Sequence, residues 1–236
     1  MFLDPYFRRD GADIWISAEQ GSRFAKRVAG DFNPIHDAAS KRFCVPGDLL
    51  FALVLSTQGL SQRMAFGFPG MLGSEIPLRI AETGAGRLAV QDAKGKTYLE
   101  VSREGETSRD PAVIEALVRG YVRFSGRNFP HILVPLMREH GVMINTQRPL
   151  IVYESMSFEL QRLDLEAPAL ELVDSRLEVR GKRGEARLYF ALKQGRETIG
   201  SGFKKLVLSG LREFQEEQIQ ALVDRYAGWK AAYEAG

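Results

Sequence analysis

The run Leu49-Leu50-Phe51-Ala52-Leu53-Val54-Leu55 is apolar at every position. Pro46-Gly47-Asp48 precedes it, a helix-opening signal, so a helix over residues 47–61 is expected. A helix that is apolar nearly all round offers no face to water and has to be enclosed by other elements. The next stretch supplies them: β-prone runs at about residues 64–68, 75–80, 87–92 and 97–103, with a hairpin turn at Gly95. Ahead of the apolar run, residues 13–16 are β-prone. Ser17 and Gln20 then form a capping box that opens a short helix with Gln20, Phe24 and Val28 on its inner face, ending at Ala29-Gly30. The pattern describes one helix sheathed by an antiparallel sheet.

The order of elements then starts again. Asp110-Pro111 opens a helix whose apolar face is Val113, Leu117, Tyr121 and Phe124, and Ser125-Gly126 ends it as Ala29-Gly30 ended the first. Phe129-Pro130-His131-Ile132-Leu133-Val134 follows in the place of Val45-Pro46-Gly47-Asp48-Leu49-Leu50, predicting a second central helix over residues 130–139. Strand patterns occupy about residues 150–161, 169–181, 185–193 and 198–208. The chain therefore reads as an internal repeat of about 100 residues. Sixteen positions separate Gly30 from Pro46, but only four separate Gly126 from Pro130. The second copy lacks the segment between helices, and Arg127 stands where the first copy has Asp31. The expected units are residues 1–105, 106–210 and a C-terminal amphipathic helix at 211–236, apolar along Phe214, Ile219, Leu222, Val223, Tyr226 and Trp229 and packed on the outside of the sheet.

Composition narrows the function classes. A chain of 236 residues, 44% hydrophobic and 26% charged, can bury a sizeable core and stay in solution. Its net charge of +2 does not point to nucleic acid, which calls for a clustered basic face. The single cysteine, Cys44, rules out an internal disulfide and reads as a small buried residue in a cytoplasmic protein. Three scattered histidines give no metal-ligand spacing, and no apolar run is long enough to span a bilayer. His131 is expected to be packed or capping, and His140 solvated.

The segment present only in the first copy carries the chemistry. Gly30-Asp31-Phe32-Asn33-Pro34-Ile35-His36 places a carboxylate and an imidazole five residues apart around an Asn-Pro turn. Held together, such groups share a water and move its protons near neutral pH. The run from Phe24 to Asp37, followed by the Pro-Gly helix start, resembles the signature of the (R)-specific enoyl-CoA hydratases, the MaoC-like branch of the hot-dog fold, over residues 14–60. That resemblance implies an α+β double hot dog: two central helices, each wrapped by antiparallel sheet, plus the C-terminal helix.

It further implies a 2-enoyl thioester hydratase or dehydratase acting on coenzyme A or acyl carrier protein thioesters. Coenzyme A or pantetheine would enter only as part of the substrate, with no cofactor and no metal. Asp31 and His36 would be catalytic, the Gly47 amide would meet the thioester carbonyl, and Asn33 would shape the loop. The pocket is expected at the junction of the two halves, in a monomer or homodimer.

Two departures are visible. Pro46 replaces the His usual before the helix Gly, and Asp48 follows where an apolar residue is common. In hot-dog acyl-CoA thioesterases an acidic residue on the central helix activates water, so Asp48 keeps a thioesterase open, as it does a non-catalytic acyl-thioester-binding protein. The whole chain also resembles a bacterial family of unknown function, most plainly over residues 42–56 and 128–137.

Overall fold

The computed structural model describes residues 2–235. The first half contains β1 (Arg8–Asp10), β2 (Asp13–Trp15), α1 (Ala18–Phe24), α2 (Gly47–Gln58), β3 (Leu60–Gly67), β4 (Leu78–Gly84), β5 (Arg87–Asp92) and β6 (Thr97–Ser108). The second contains α3 (Pro111–Gly126), α4 (Asn128–His131), α5 (Leu133–Glu139), β7 (Val142–Met143), β8 (Ile151–Leu160), β9 (Ala169–Arg180), β10 (Arg183–Gln194) and β11 (Glu197–Ser209). The chain ends with β12 (Arg212–Glu213) and α6 (Glu216–Ala235).

Strand order identifies the architecture. The main sheet runs β1-β2-β4-β5-β6-β3-β8-β11-β10-β9. From β3 outward through β6, β5 and β4, the order matches that from β8 outward through β11, β10 and β9. The two halves join antiparallel at β3 and β8, with Met64 opposite Phe158 and Ala65 opposite Ser157. This is the double hot dog, α+β, with a C-terminal helix. Helix α2 fills the first half, where Leu49, Phe51, Val54 and Leu55 are fully buried with Met64, Phe66, Leu88, Val90 and Leu99 of the strands. Removing such a side chain from water contributes about 1.5–3 kcal/mol each. In the second half Leu133, Leu136 and Met137 of α5 pack on Leu177, Leu188, Leu206 and Leu208.

Several boundaries differ from expectation for local reasons. Helix α2 stops at Gln58, because Gly59 turns to φ 92° and β3 starts at Leu60. The strand expected at 75–80 forms as β4 from Leu78, one residue after Pro77, which has no N–H for a ladder. The second central helix is broken in two. Phe129 precedes a proline and is extended (φ −111°, ψ 128°), which separates Asn128 from Pro130, and a second boundary at Ile132 (φ −112°) divides α4 from α5. Helix α6 begins at Glu216, after β12 has paired with β7. It does not lie outside the sheet. Ile219 and Leu222 pack into the core beside α5, and Tyr226 meets the rings of Phe32 and Phe129. An apolar helix edge names its buried side but not the surface it meets.

Candidate active site

The segment between α1 and α2 is folded by its own hydrogen bonds. The capping box expected at Ser17 and Gln20 is formed, and it occupies the Gln20 amide that was expected on the inner face. Helix α1 widens into a π turn over Ala25–Ala29, a distortion that recurs at functional sites. Gly30 stops it in the left-handed region at φ 67°, and Asp31 N–H donates to the Ala25 carbonyl (2.9 Å). Asp31 Oδ1 accepts from Asn33 N–H (2.9 Å), and Asn33 Oδ1 accepts from Ile35 N–H (3.2 Å), which caps the single turn Pro34–His36. The Asn33 carboxamide oxygen is therefore occupied in shaping the loop. An ion pair between Lys26 and Asp37 ties the loop back to the π turn.

These bonds aim two side chains at each other. His36 Nδ1 lies 2.7 Å from the Cys44 carbonyl oxygen. A carbonyl only accepts, so Nδ1 carries a proton and Nε2 is left as the working nitrogen. Nε2 stands 3.7 Å from Asp31 Oδ2. Both side chains are partly buried in the wall of a cavity of about 230 Å³, to which Gly47 and Asp48 at the start of α2 also contribute. The first N–H groups of α2 have no intrahelical acceptor, so this helix start favours negative charge. The other wall comes from the second half, including Asn128, Leu133, Tyr153 and Lys204, and the cavity lies at the junction of the halves. Among the described residues no His, Cys, Asp or Glu side chains gather as a metal site would, and no described helix is long and apolar enough to cross a membrane.

A second polar cluster adjoins the first. Ser125, at the end of α3, donates to Asp48 Oδ2 at 2.5 Å and accepts from Lys204 Nζ. The Lys204 ammonium lies 3.9 Å from the Tyr153 ring centre, and the Tyr153 hydroxyl is bonded to that of Tyr121. All of these residues are buried or nearly so. Burial pushes the Asp48 carboxyl above the usual carboxylate range, against the opposing pull of Lys204 and Ser125. Burial likewise pulls the Lys204 ammonium down against the pull of Asp48. Burial raises both tyrosine hydroxyls far above their ordinary value.

Helix α6 closes the cavity with Leu222, Tyr226 and Trp229. The Tyr226 hydroxyl accepts from Phe32 N–H (2.9 Å) and reaches Asp31 Oδ1 at 3.3 Å, so Oδ1 is anchored while Oδ2 faces His36. Tyr226→Phe keeps the ring contacts but leaves the buried Phe32 N–H without an acceptor. It is expected to lower stability by about 1–3 kcal/mol, read as a lower urea midpoint at unchanged slope.

The sequence singled out Asp31, Asn33, His36, Gly47 and Asp48, and the structure brings all five to one cavity. It missed Ser125, Lys204, Tyr153 and Tyr226. Two of these left a signal. Lys204 shares the inward phase of Leu206 and Leu208 along β11, an odd position for a lysine. Ser125 lies four residues after Tyr121 on the buried face of α3. Cys44 is buried as expected, and burial pushes its thiol up rather than activating it. His131, the last residue of α4, is exposed, not packed.

Comparison with solved structures gives distant likenesses. The tesB protein of Mycobacterium avium subsp. paratuberculosis is 9% identical, with a TM-score of 0.48 over 87% of this chain and 96% of that one. A hot-dog protein of unknown function from Alicyclobacillus acidocaldarius is 8% identical, with a TM-score of 0.48 over 89% and 98%. A MaoC-like dehydratase is 10% identical, with a TM-score of 0.45 over 87% and 98%. Likenesses this distant carry no argument about activity. No curated protein matches the chain. The sequence model of one family, described as protein of unknown function (DUF3581), matches residues 1–217, and the chain belongs to that family.

Proposed function

We propose that the protein is an (R)-specific 2-enoyl thioester hydratase or dehydratase. One observation carries this reading: Asp31 Oδ2 and His36 Nε2 converge to 3.7 Å in a cavity wall that also holds Gly47. At that separation a single water oxygen fits within hydrogen-bond distance of both. Asp31 takes a proton from this water as its oxygen adds to C3 of the enoyl group. The electrons move to the thioester oxygen, where the Gly47 N–H and the start of α2 stabilise the enolate. His36, protonated on both ring nitrogens, gives its Nε2 proton to C2. The proton held by Asp31 then returns to His36, which restores the pair. Coenzyme A or the pantetheine arm of acyl carrier protein enters as part of the substrate. The apolar cavity lining from Leu50, Leu133 and Leu206 suits an acyl chain.

Asp48 supports hydrolysis less well, because its Oδ2 already accepts the Ser125 hydroxyl and Oδ1 is buried from solvent. The test is an assay on crotonyl-CoA and a longer enoyl-CoA, following the conjugated thioester by absorbance and free thiol with a disulfide reagent. Hydration predicts loss of the conjugated band with no thiol. Thiol release would instead indicate a thioesterase using Asp48. Calorimetric binding of either ligand without any turnover would indicate an acyl-thioester-binding protein.

A further inference from the structure

The mechanism above leaves a buried cation in the cavity wall unused. Lys204 is 3% exposed, and the inward positions that follow it along β11 are Leu206 and Leu208. A structural ion pair is a poor reason for its presence. Taking two charges out of water costs several kcal/mol per ion, and replacing such a pair by apolar residues is often neutral or stabilising. Asp48 poses the converse problem. It is one residue from Gly47, where the enolate oxygen is expected, and a lone carboxylate there opposes the developing negative charge. Lys204 answers both difficulties. Ser125 bridges its ammonium to Asp48, which fixes the side chain, and Tyr153 covers one flank with its ring.

We propose that Lys204 is a catalytic residue of this cavity: its ammonium stabilises the negative oxygen that develops on the acyl thioester, while Ser125 and Asp48 position it. The inference rests on the enoyl-thioester reading and adds to it a cationic electrophile contributed by the second half. The opposed burial shifts of Asp48 and Lys204 fit a pair held in one low-dielectric wall.

The double variant Asp48→Asn/Lys204→Met removes both charges at once, so that no unpaired buried ion remains. Asp48→Asn/Lys204→Gln is a second neutral version that keeps a donor toward Ser125, in case the first does not fold. Either folded double variant is expected to lose about 100-fold or more in kcat on crotonyl-CoA, the usual scale for an oxyanion donor, with little change in KM.

Acetoacetyl-CoA gives a readout independent of turnover, because its enolate absorbs in the near ultraviolet. Wild type is expected to enolise the bound ligand at lower pH than in free solution, and the double variants are expected to abolish that difference. If wild type is inert on enoyl thioesters yet shifts this enolisation through Lys204, the lysine assignment stands and the hydratase reading falls. A folded double variant that hydrates crotonyl-CoA within about threefold of wild type reduces Lys204 to charge compensation and overturns the proposal. So does the absence of any enolisation shift in wild type.

Discussion

Asp31→Asn is expected to slow crotonyl-CoA hydration by about two to four orders of magnitude, the range for removing a positioned acid or base. The substitution keeps the shape of the loop. The carboxamide oxygen it introduces can still accept from Asn33 N–H and the Tyr226 hydroxyl, so the turn survives while the base is lost. His36→Ala removes the other half of the pair and is expected to cost about the same. The two act on one water, so the double variant should be little slower than either single. Additive losses would mean that the groups work on separate steps. Folding should survive all three changes, since both side chains keep some contact with solvent and neither belongs to the apolar core. Circular dichroism and a urea titration check that point.

Gly126→Ala tests how the second half supports the loop of the first. Gly126 ends α3 against the end of the π turn, and a Cβ there would lie 1.9 Å from the Ala29 carbonyl oxygen and 3.3 Å from Asp31 N. Both are backbone atoms that no rotamer change can move aside. Overpacking of this kind costs about 1–3 kcal/mol, occasionally more. A shift of the Ala29–Asp31 backbone by about 1 Å would also misplace the Asp31 carboxylate, an error that can cost about 100-fold in rate. Gly126→Ala is therefore expected to lower stability and activity together. Gly228→Ala is the control: it lies in α6 with nothing within 4 Å of the added Cβ, and is expected to stabilise by up to about 1 kcal/mol. If Gly126→Ala behaves like Gly228→Ala, the close contact between the halves is not as described.

Much of the fold was legible because two periodicities are strong here. The all-apolar stretch of α2 demanded enclosure, and the alternation in β10 and β11 placed those strands to within a few residues. The Asp31–His36 loop was legible because local chemistry builds it: a glycine stop, an Asn cap and a proline turn, all within seven residues. What sequence could not give were the relations across the molecule. Ser125 and Lys204 lie 77 and 156 positions beyond Asp48, and the pairing of β3 with β8, together with α3 packed against the π turn, brings the halves together around one cavity. Tyr226 joins the site from a third segment, because α6 turns back over the loop after β12 pairs with β7. Periodicity marked its edge as apolar but could not say that Asp31 would be its neighbour.

The most direct test of the shared water is the stereochemical course of crotonyl-CoA hydration in deuterium oxide. With one water held between the pair, its oxygen adds to C3 and His36 delivers hydrogen to C2 on the same face. The account predicts (R)-3-hydroxybutyryl-CoA with a single deuterium at C2, placed syn to the hydroxyl. Anti addition, scrambled label at C2, the (S) product, or no turnover of crotonyl-CoA or a longer enoyl-CoA would contradict it.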